Sequence, residues 1–263
     1  MTLGFSVNSL LPKTRGGGQL KMGLVRLTEP EWLQPAPDLA ARREAFANWP
    51  EGIQITSASE EPGRELAGML DVAGGLPEAA LNAHEDMCLL TRRPGEDVYR
   101  LIGAAVAWPS DWHPKHKVGL PLRALHAPIQ GYEEQLATGV DRFMATLKSG
   151  VIYGRCNWFI APTRAKRWIA GGDPQKQFEH ITPKNAGDCL FVRSERQTLR
   201  RLPETGAILF TIGIYVEPFA ALTADNRSRL ADALRNLVSG EGDRRGATYY
   251  ADALLQYHQR TTP

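Results

Sequence analysis

The chain has 263 residues, 43% of them hydrophobic and 23% charged, and its formal net charge at neutral pH is +2. This balance is ordinary for a globular protein; it excludes disorder over the whole length, and the evenly spread basic residues give no nucleic-acid-binding footprint. No apolar run approaches the length of a membrane span, and residues 1–18 resemble neither a signal peptide nor a transit peptide, so we expect a cytoplasmic protein.

The first part of the chain predicts helices and one β-hairpin. Its patterns indicate a short strand at 22–27, helices at 38–49 and 60–72, and a hairpin formed by strands at 86–93 and 98–108. Asp38 is predicted to cap the first helix, because its carboxylate can accept from a free backbone N–H of the first turn. The second helix is predicted to stop before the breaker at 74–77.

The middle of the chain predicts a loop, a long helix and a strand. Proline residues interrupt 111–131, which is expected to be a loop with one short helical stretch. An amphipathic helix is predicted at 132–148, with five apolar residues on one face: Leu136, Val140, Phe143, Met144 and Leu147. A strand at 155–162 and a long polar loop at 163–188 are predicted to follow.

The last part of the chain gives the clearest hairpin, with strands at 189–203 and 207–218. Two C-terminal helices are predicted after it: one runs from a cap at Thr223 to Gly240, and the other carries Tyr250, Leu254 and Leu255. These elements together predict an α+β fold, in which an antiparallel sheet is flanked by helices. We expect residues 1–263 to form a single domain.

Several common motifs are missing from the sequence, and their absence argues against several classes of enzyme and cofactor site. The sequence has no glycine-rich dinucleotide or nucleotide loop, no G-x-S-x-G elbow and no H-E-x-x-H zinc motif. Its three cysteines cannot supply the four thiolates that an iron–sulfur cluster normally needs. His113 and His116 have a metal-like spacing, but Pro114 lies between them and no third ligand is near in sequence, so a surface loop is the preferred interpretation.

Five segments, taken together and in this order, resemble the haem-dependent oxidative N-demethylase family. They are MGLVRLTEPEWL (22–33), EDMCLL (85–90), WPSDWHPKHKVGLPLRALHAPIQGY (108–132), RCNWFI (155–160) and ERQTLRRLPETGAILFTIGIY (195–215). The central and last segments are the most specific. The resemblance spans a core of about 22–219, which leaves 220–263 as additional C-terminal helices.

The resemblance implies a PAS-like, haem-binding catalytic subunit. Such a subunit binds haem b and uses oxygen to remove a methyl group from a small secondary amine such as dimethylamine, with formaldehyde as co-product. It also implies partner subunits, because electrons come from NADPH through FMN and a [2Fe–2S] centre, and a folate-binding subunit takes up the formaldehyde. We expect these latter cofactors only on the partners.

The resemblance implies that His126 is the axial iron ligand, since it lies in the central family segment before the long helix. Neutral imidazole is the common ligand in oxygen-handling haem proteins. From the residues alone, a half-buried histidine bonded to backbone is the alternative. Lys117 and Arg155 are candidates to pair with the haem propionates, or are solvated surface charges, and Asn157 matches the family segment beside them.

The strand at 189–203 is unusually polar. Alternation places Arg193, Glu195 and Gln197 on one face and Arg196, Thr198 and Arg200 on the other, without saying which face meets the cofactor. Glu195 is the candidate to hold a cationic amine, which is costly to bury without a carboxylate. Arg196, with Thr198 or Tyr215, is the candidate to stabilise charge on oxygen. A solvated edge strand is the alternative.

Three functions are compatible with these features. The first is a haem-dependent N-demethylase that receives electrons from a reductase. The second is a non-catalytic haem PAS protein that binds a gas or another ligand, although no signalling segment is visible in the sequence. The third is a haem-free structural subunit, which a Soret absorption band in the purified protein would exclude.

Overall fold

An antiparallel sheet organises the molecule, in a computed structural model that describes residues 3–13, 21–93, 95–129, 131–169, 171–237, 242 and 246–261. Seven strands are present in these residues: β1 (Val25–Leu27), β2 (Ile53–Ile55), β3 (Asp86–Arg92), β4 (Tyr99–Ala105), β5 (Ile152–Ala161), β6 (Phe191–Arg201) and β7 (Ile208–Pro218). Their order across the sheet is β1-β5-β6-β7-β3-β4-β2, and every neighbouring pair is antiparallel.

Helices cover both sides of the sheet. They are α1 (Val7–Leu10), α2 (Leu39–Ala47), α3 (Glu60–Met69), α4 (Leu76–Leu81), α5 (Leu122–His126), α6 (Thr138–Thr146), α7 (Pro174–Phe178), α8 (Ala186–Cys189), α9 (Ala224–Arg235) and α10 (Ala251–Thr261). The predicted α+β class is therefore confirmed. Within the described ranges, none of the helices has both the length and the apolar character needed to cross a bilayer.

Most of the predicted elements are present, with some differences at short elements. Asp38 caps α2 as expected, and its side chain accepts a 3.0 Å hydrogen bond from the backbone N–H of Ala41. The predicted breaker at 74–77 instead begins α4, because proline fits the first turn of a helix, where its missing N–H is not needed. The predicted loop at 163–188 contains α7 and most of α8. The helix predicted from Thr223 is α9, which ends at Arg235, and its predicted end at Gly240 lies outside the described residues.

The longest pairing in the sheet is the β6–β7 hairpin, which runs from the Phe191–Pro218 pair to the Arg201–Ile208 pair. Glu65 of α3 holds its turn. The Glu65 carboxylate accepts hydrogen bonds from the backbone N–H groups of Glu204 and Thr205 at 2.7 and 2.9 Å, and from the Thr205 hydroxyl at 2.5 Å. This contact fixes the turn against α3 and supports the alignment of the two central strands.

The side of the sheet that carries Arg196, Thr198 and Arg200 is fully covered, and we call it the closed face. All three side chains are buried. Leucine and tryptophan side chains from the N-terminal segment, α3 and α4 form the covering core: Leu3, Leu10, Trp32, Leu66 and Leu76. At the far end of the same side, α9 and α10 pack on Trp158, Ile160 and Val192.

The opposite side, which carries Glu195 and Gln197, is covered at its ends only, and we call it the open face. At one end, α5 and α6 form a core with Leu199 of β6. At the other end, Arg193 donates hydrogen bonds to the Ser110 hydroxyl and the Trp108 carbonyl, both at 2.8 Å, and so ties down the 107–112 loop. Between these covers, the centre of β5 and β6 is only half-buried.

Candidate functional site

The centre of the open face carries a polar group of side chains from the two middle strands. Arg155 pairs with Gln197 across β5 and β6, and Asn157 pairs with Glu195, so all four side chains lie on the same side of the sheet. Each of them is half-buried. Because α5 and α6 cover one end of this face and the 107–112 loop covers the other, the polar and partly open surface between them is the candidate functional site.

His126 is the last residue of α5, which is one of the elements that cover the open face. Its Nδ1 lies 2.9 Å from the Leu122 carbonyl oxygen, four residues earlier in the same short helix. A carbonyl can only accept, so this contact assigns the proton to Nδ1 and leaves the lone pair on Nε2. Among the described residues, Nε2 has no hydrogen-bond partner.

The surroundings of His126 keep its imidazole neutral. Burial lowers the pKa of His126 below its ordinary value; the bond to Leu122 opposes this, and the positive charges of Lys117 and Arg155 add to it. These interactions place Lys117 and Arg155 within electrostatic range of the ring. A neutral imidazole with a free Nε2 lone pair, oriented through its other nitrogen, has the form that binds transition metals.

Arg155 is the cation of the site with unmet hydrogen-bonding capacity. Its Nε is buried and has no hydrogen-bond partner among the described residues. Burial lowers the pKa of Arg155, and the negative charge of Glu195 acts in the opposite direction. A buried guanidinium with an unpaired donor favours an anionic ligand, above all a carboxylate, which can accept from two of its N–H groups.

Two further predicted residues border the same site. Lys117 is half-buried, and its Nζ donates a 3.1 Å hydrogen bond to the Leu125 carbonyl, so its ammonium lies beside the C-terminal end of α5. Glu195 accepts a 2.8 Å hydrogen bond from the Gln197 side chain through Oε2. The open face therefore gathers His126, Lys117, Arg155, Asn157 and Glu195 around one surface.

The other three predicted residues lie on the closed face, and the sheet separates them from this group. Arg196 donates hydrogen bonds to the Trp32 carbonyl, at 3.0 Å, and to the Glu31 carbonyl. The hydroxyls of Thr198 and Thr211 lie 2.6 Å apart, and the Tyr215 hydroxyl donates to the Gln34 side chain at 2.8 Å. Their proposed action on oxygen stays a prediction, and they are not brought together with His126.

The closed face has unpaired polar atoms of its own. Glu85 Oε2, Ser194 Oγ and Arg196 Nε are buried without hydrogen-bond partners among the described residues. Burial raises the pKa of Glu85, and burial together with Glu85 raises the pKa of Tyr215. These side chains belong to a sealed layer, whereas the polar group of the open face is accessible from solvent.

Tyr132 is the residue of the site that the sequence patterns missed. Its ring stacks on the His126 imidazole, with centroids 4.4 Å apart and planes 13° from parallel. The sequence separates it from His126 by a glycine- and proline-containing stretch, and no periodicity links the two positions. Tyr132 ends the central family segment and begins the predicted amphipathic helix, but neither position indicates a contact with His126.

The interpretation of the H-x-x-H spacing as a surface loop, rather than a metal pair, stays a prediction. The His113 and His116 rings lie 5.2 Å apart, and His113 also contacts the Trp49 ring. His116 is exposed. In the part of the chain that the structure describes, no group of three or more histidine, cysteine or acidic side chains could hold a metal ion.

A comparison with protein-family models adds an independent observation. Residues 57–255 match the model of the haem-dependent oxidative N-demethylase, alpha subunit-like family. The match contains every residue of the open-face group, and it covers well over half of the chain. The chain therefore belongs to the haem-dependent oxidative N-demethylase, alpha subunit-like family.

Proposed function

We propose that this chain is the haem-binding subunit of a monooxygenase that removes a methyl group from a small secondary amine. The observation that carries the proposal is the state of His126, with Nδ1 bonded to the Leu122 carbonyl and Nε2 free beside the open face. The long strands also support a PAS-like fold: β3 and β4 pair, the helical segment with α5 follows, and β5, β6 and β7 complete the sheet.

The residues of the open face fit haem b. In this proposal the Nε2 of His126 binds the iron, because the Nδ1–H bond orients the ring as in other metal-binding histidines. Arg155, whose Nε lacks a partner, would receive one propionate, and Lys117, whose Nζ bonds to the carbonyl of Leu125 next to His126, would receive the other. Asn157 adds a neutral hydrogen-bonding group from β5.

Haem supplies the activation of oxygen, with electrons that a partner reductase delivers. The balance for dimethylamine consumes one oxygen molecule, two electrons and two protons, and yields methylamine, formaldehyde and water. We propose that NADPH, FMN and a [2Fe–2S] centre serve this transfer on partner subunits, and that a folate-binding partner consumes the formaldehyde.

Glu195 is proposed to hold the substrate amine. A dialkylammonium ion loses its hydration on entering the site, and a carboxylate offsets part of that cost. Glu195 lies on the open face with Oε2 bonded to Gln197, an arrangement that holds the carboxylate in one orientation.

Replacement of the proposed ligand gives the main test. We expect His126→Ala to lose the Soret band, or to shift it strongly, in protein reconstituted with haem b. The matched control is His116→Ala, since His116 is an exposed histidine and lies outside the group. An unchanged spectrum of His126→Ala would exclude His126 as the ligand.

Replacement of the carboxylate tests the substrate. Glu195→Gln is expected to bind haem normally but to lose the spectral shift on addition of dimethylamine and the amine-dependent oxygen uptake with a reductase. Glu217→Gln is the matched control, because Glu217 is exposed on β7. Full amine-dependent turnover in Glu195→Gln would contradict the role of Glu195, and haem binding without any amine response in the unmodified protein would favour a ligand-binding protein.

A further inference from the structure

The stacking of Tyr132 on His126 is closer than that of most aromatic pairs in the molecule. Tyr132 is buried, and its hydroxyl has no hydrogen-bond partner among the described residues. Offset and parallel ring contacts at this distance stabilise a pair beyond the area that they bury. The phenol ring, and not its hydroxyl, is therefore the part of Tyr132 that interacts with His126.

An irregular helical turn brings Tyr132 to this position. Residues Glu133–Ala137 form a π-helical turn directly after Tyr132, and α6 continues from it. Tyr132 and Ala137, five residues apart, are both buried, whereas Leu136 is half-buried. A regular α-helix aligns residues four apart, so the extra residue of the π turn lets Tyr132 contact His126 while α6 keeps its own apolar side on the core.

Ion pairs join the two elements that carry these rings. Arg123 of α5 contacts Glu133 at 2.5 Å and Asp141 of α6 at 2.9 Å. Because Arg123 and Glu133 are largely exposed, these pairs contribute little to stability by themselves. Their effect is to connect the helix that ends in His126 with the helix that follows Tyr132.

We propose that Tyr132 is a positioning residue that fixes the plane of the His126 imidazole for iron ligation. The Nδ1 contact with Leu122 restrains one atom of the ring, and the stack restrains its plane. Both restraints are needed, because a ring held at one nitrogen can still tilt about that hydrogen bond. The proposal rests on the proposed function, since it assumes that His126 is the axial ligand.

Tyr132→Phe and Tyr132→Leu separate the ring from the hydroxyl. Phenylalanine keeps the stack, and leucine removes it while retaining an apolar side chain. The matched control is Phe143→Leu, which removes an aromatic ring that packs edge-on against Tyr153, with centroids 5.3 Å apart. This control removes an aromatic contact of α6 but leaves the surroundings of His126 unchanged.

A first measurement needs no haem. In the stacked arrangement the Tyr132 ring shields the carbon-bound protons of His126, so we expect their NMR signals to move downfield in Tyr132→Leu and to stay nearly unchanged in Tyr132→Phe and Phe143→Leu. Unchanged His126 signals in Tyr132→Leu would overturn the stack, whatever the haem chemistry proves to be.

A second measurement tests the effect on ligation. We expect Tyr132→Leu to release haem to an excess of apomyoglobin about tenfold faster, in the range seen when groups that orient a metal ligand are removed. The electron paramagnetic resonance g values of its low-spin ferric cyanide complex should also change, since they depend on the plane of the axial imidazole. Tyr132→Phe and Phe143→Leu should match the unmodified protein in both.

The outcomes distinguish this inference from the proposed function. If His126→Ala changes the haem spectrum but Tyr132→Leu has unchanged g values and release rate, the positioning role is wrong and the ligand assignment stands. If His126→Ala leaves the spectrum unchanged, both are wrong. Equal acceleration of haem release in Tyr132→Leu and Phe143→Leu would assign the effect to packing alone and also overturn the proposal.

Discussion

The two faces of the central strands β5 and β6 differ in how their charged side chains are used, although the charges of β6 follow one another in the sequence. On the closed face, the Arg196 guanidinium donates to two backbone carbonyls, and Arg200 pairs with Glu29 at 2.7 Å. On the open face, Arg155 of β5 has an unpaired Nε as Arg196 does, but it lies on a half-buried surface and not in a sealed layer. Charge in a strand is therefore a poor sign of a site by itself; access and proximity to His126 distinguish the two sides.

The largest expected effect comes from Arg196→Met, which tests whether the closed face is structural. The change leaves the Glu31 and Trp32 carbonyls without their donor and removes one of the two positive charges, Arg196 and Arg42, that act on Glu85. We expect the free energy of unfolding to fall by about 4 kcal/mol, as for other broken buried charge networks. Urea unfolding measures it, and haem binding by the folded fraction should persist. A loss below 1 kcal/mol would contradict this view of the closed face.

The sequence predicts how the side chains of β6 divide into two sets. It does not predict which set lies on the open face and which on the closed face. Alternation along β6 correctly separates Glu195 and Gln197 from Arg196 and Thr198, because successive side chains of a strand point to opposite sides. Which side meets His126 depends on how the segment after β4 folds back over the sheet. That is a long-range packing choice, and no local pattern records it.

Dependence on long-range packing also explains why some short elements are not predicted. The hairpins and the longer helices have strong periodicity, and they were predicted with boundaries within a few residues. The short helices α7 and α8 and the strand β2 have too few residues for a periodic signal, and their neighbours in the fold determine them. The π turn before α6 shifts burial from Leu136 to Ala137, which a regular helical pattern does not anticipate.

A smaller effect should appear in the pH dependence of stability, through His84. The His84 ring stacks on Tyr215 and lies tilted against Trp108, with centroids 5.1 Å from each, and burial lowers the pKa of His84 to about 4. Since the unfolded value is about 6.5, the unfolded chain binds the proton better, so stability is complete above that pH and is lost as the pH falls toward 4. A shift of this size corresponds to about 3 kcal/mol.

Denaturant unfolding of the haem-free protein at several pH values between 7 and 4 measures this loss. In His84→Gln the decrease with falling pH should be about 3 kcal/mol smaller. His126 contributes in the same direction, because its pKa is also lowered by burial. A pH dependence that is identical with and without His84 would show that its burial does not control the acid sensitivity.

The smallest effect on stability is expected on the open face. Arg155→Gln and Glu195→Gln change half-buried groups, so the free energy of unfolding should change by less than about 1 kcal/mol for each. Arg155→Gln should nevertheless weaken haem retention, because a propionate would lose its guanidinium partner. If either change destabilised the protein as strongly as Arg196→Met, the charged residues of the open face would be as important for stability as those of the closed face, and the contrast between the faces would be wrong.

Glu65 accepts hydrogen bonds from Glu204 and Thr205 in the turn between β6 and β7, and this contact matters because the two faces of β6 differ. Adjacent residues of β6 serve different layers, so a slip of the hairpin by a single residue would exchange the whole set of side chains presented to each layer. Such a slip would remove Glu195 and Gln197 from the open face even in a chain that remained compact. The Glu65 carboxylate on α3 thus helps to determine which side chains of β6 lie on the open face, where the cofactor and the amine would bind.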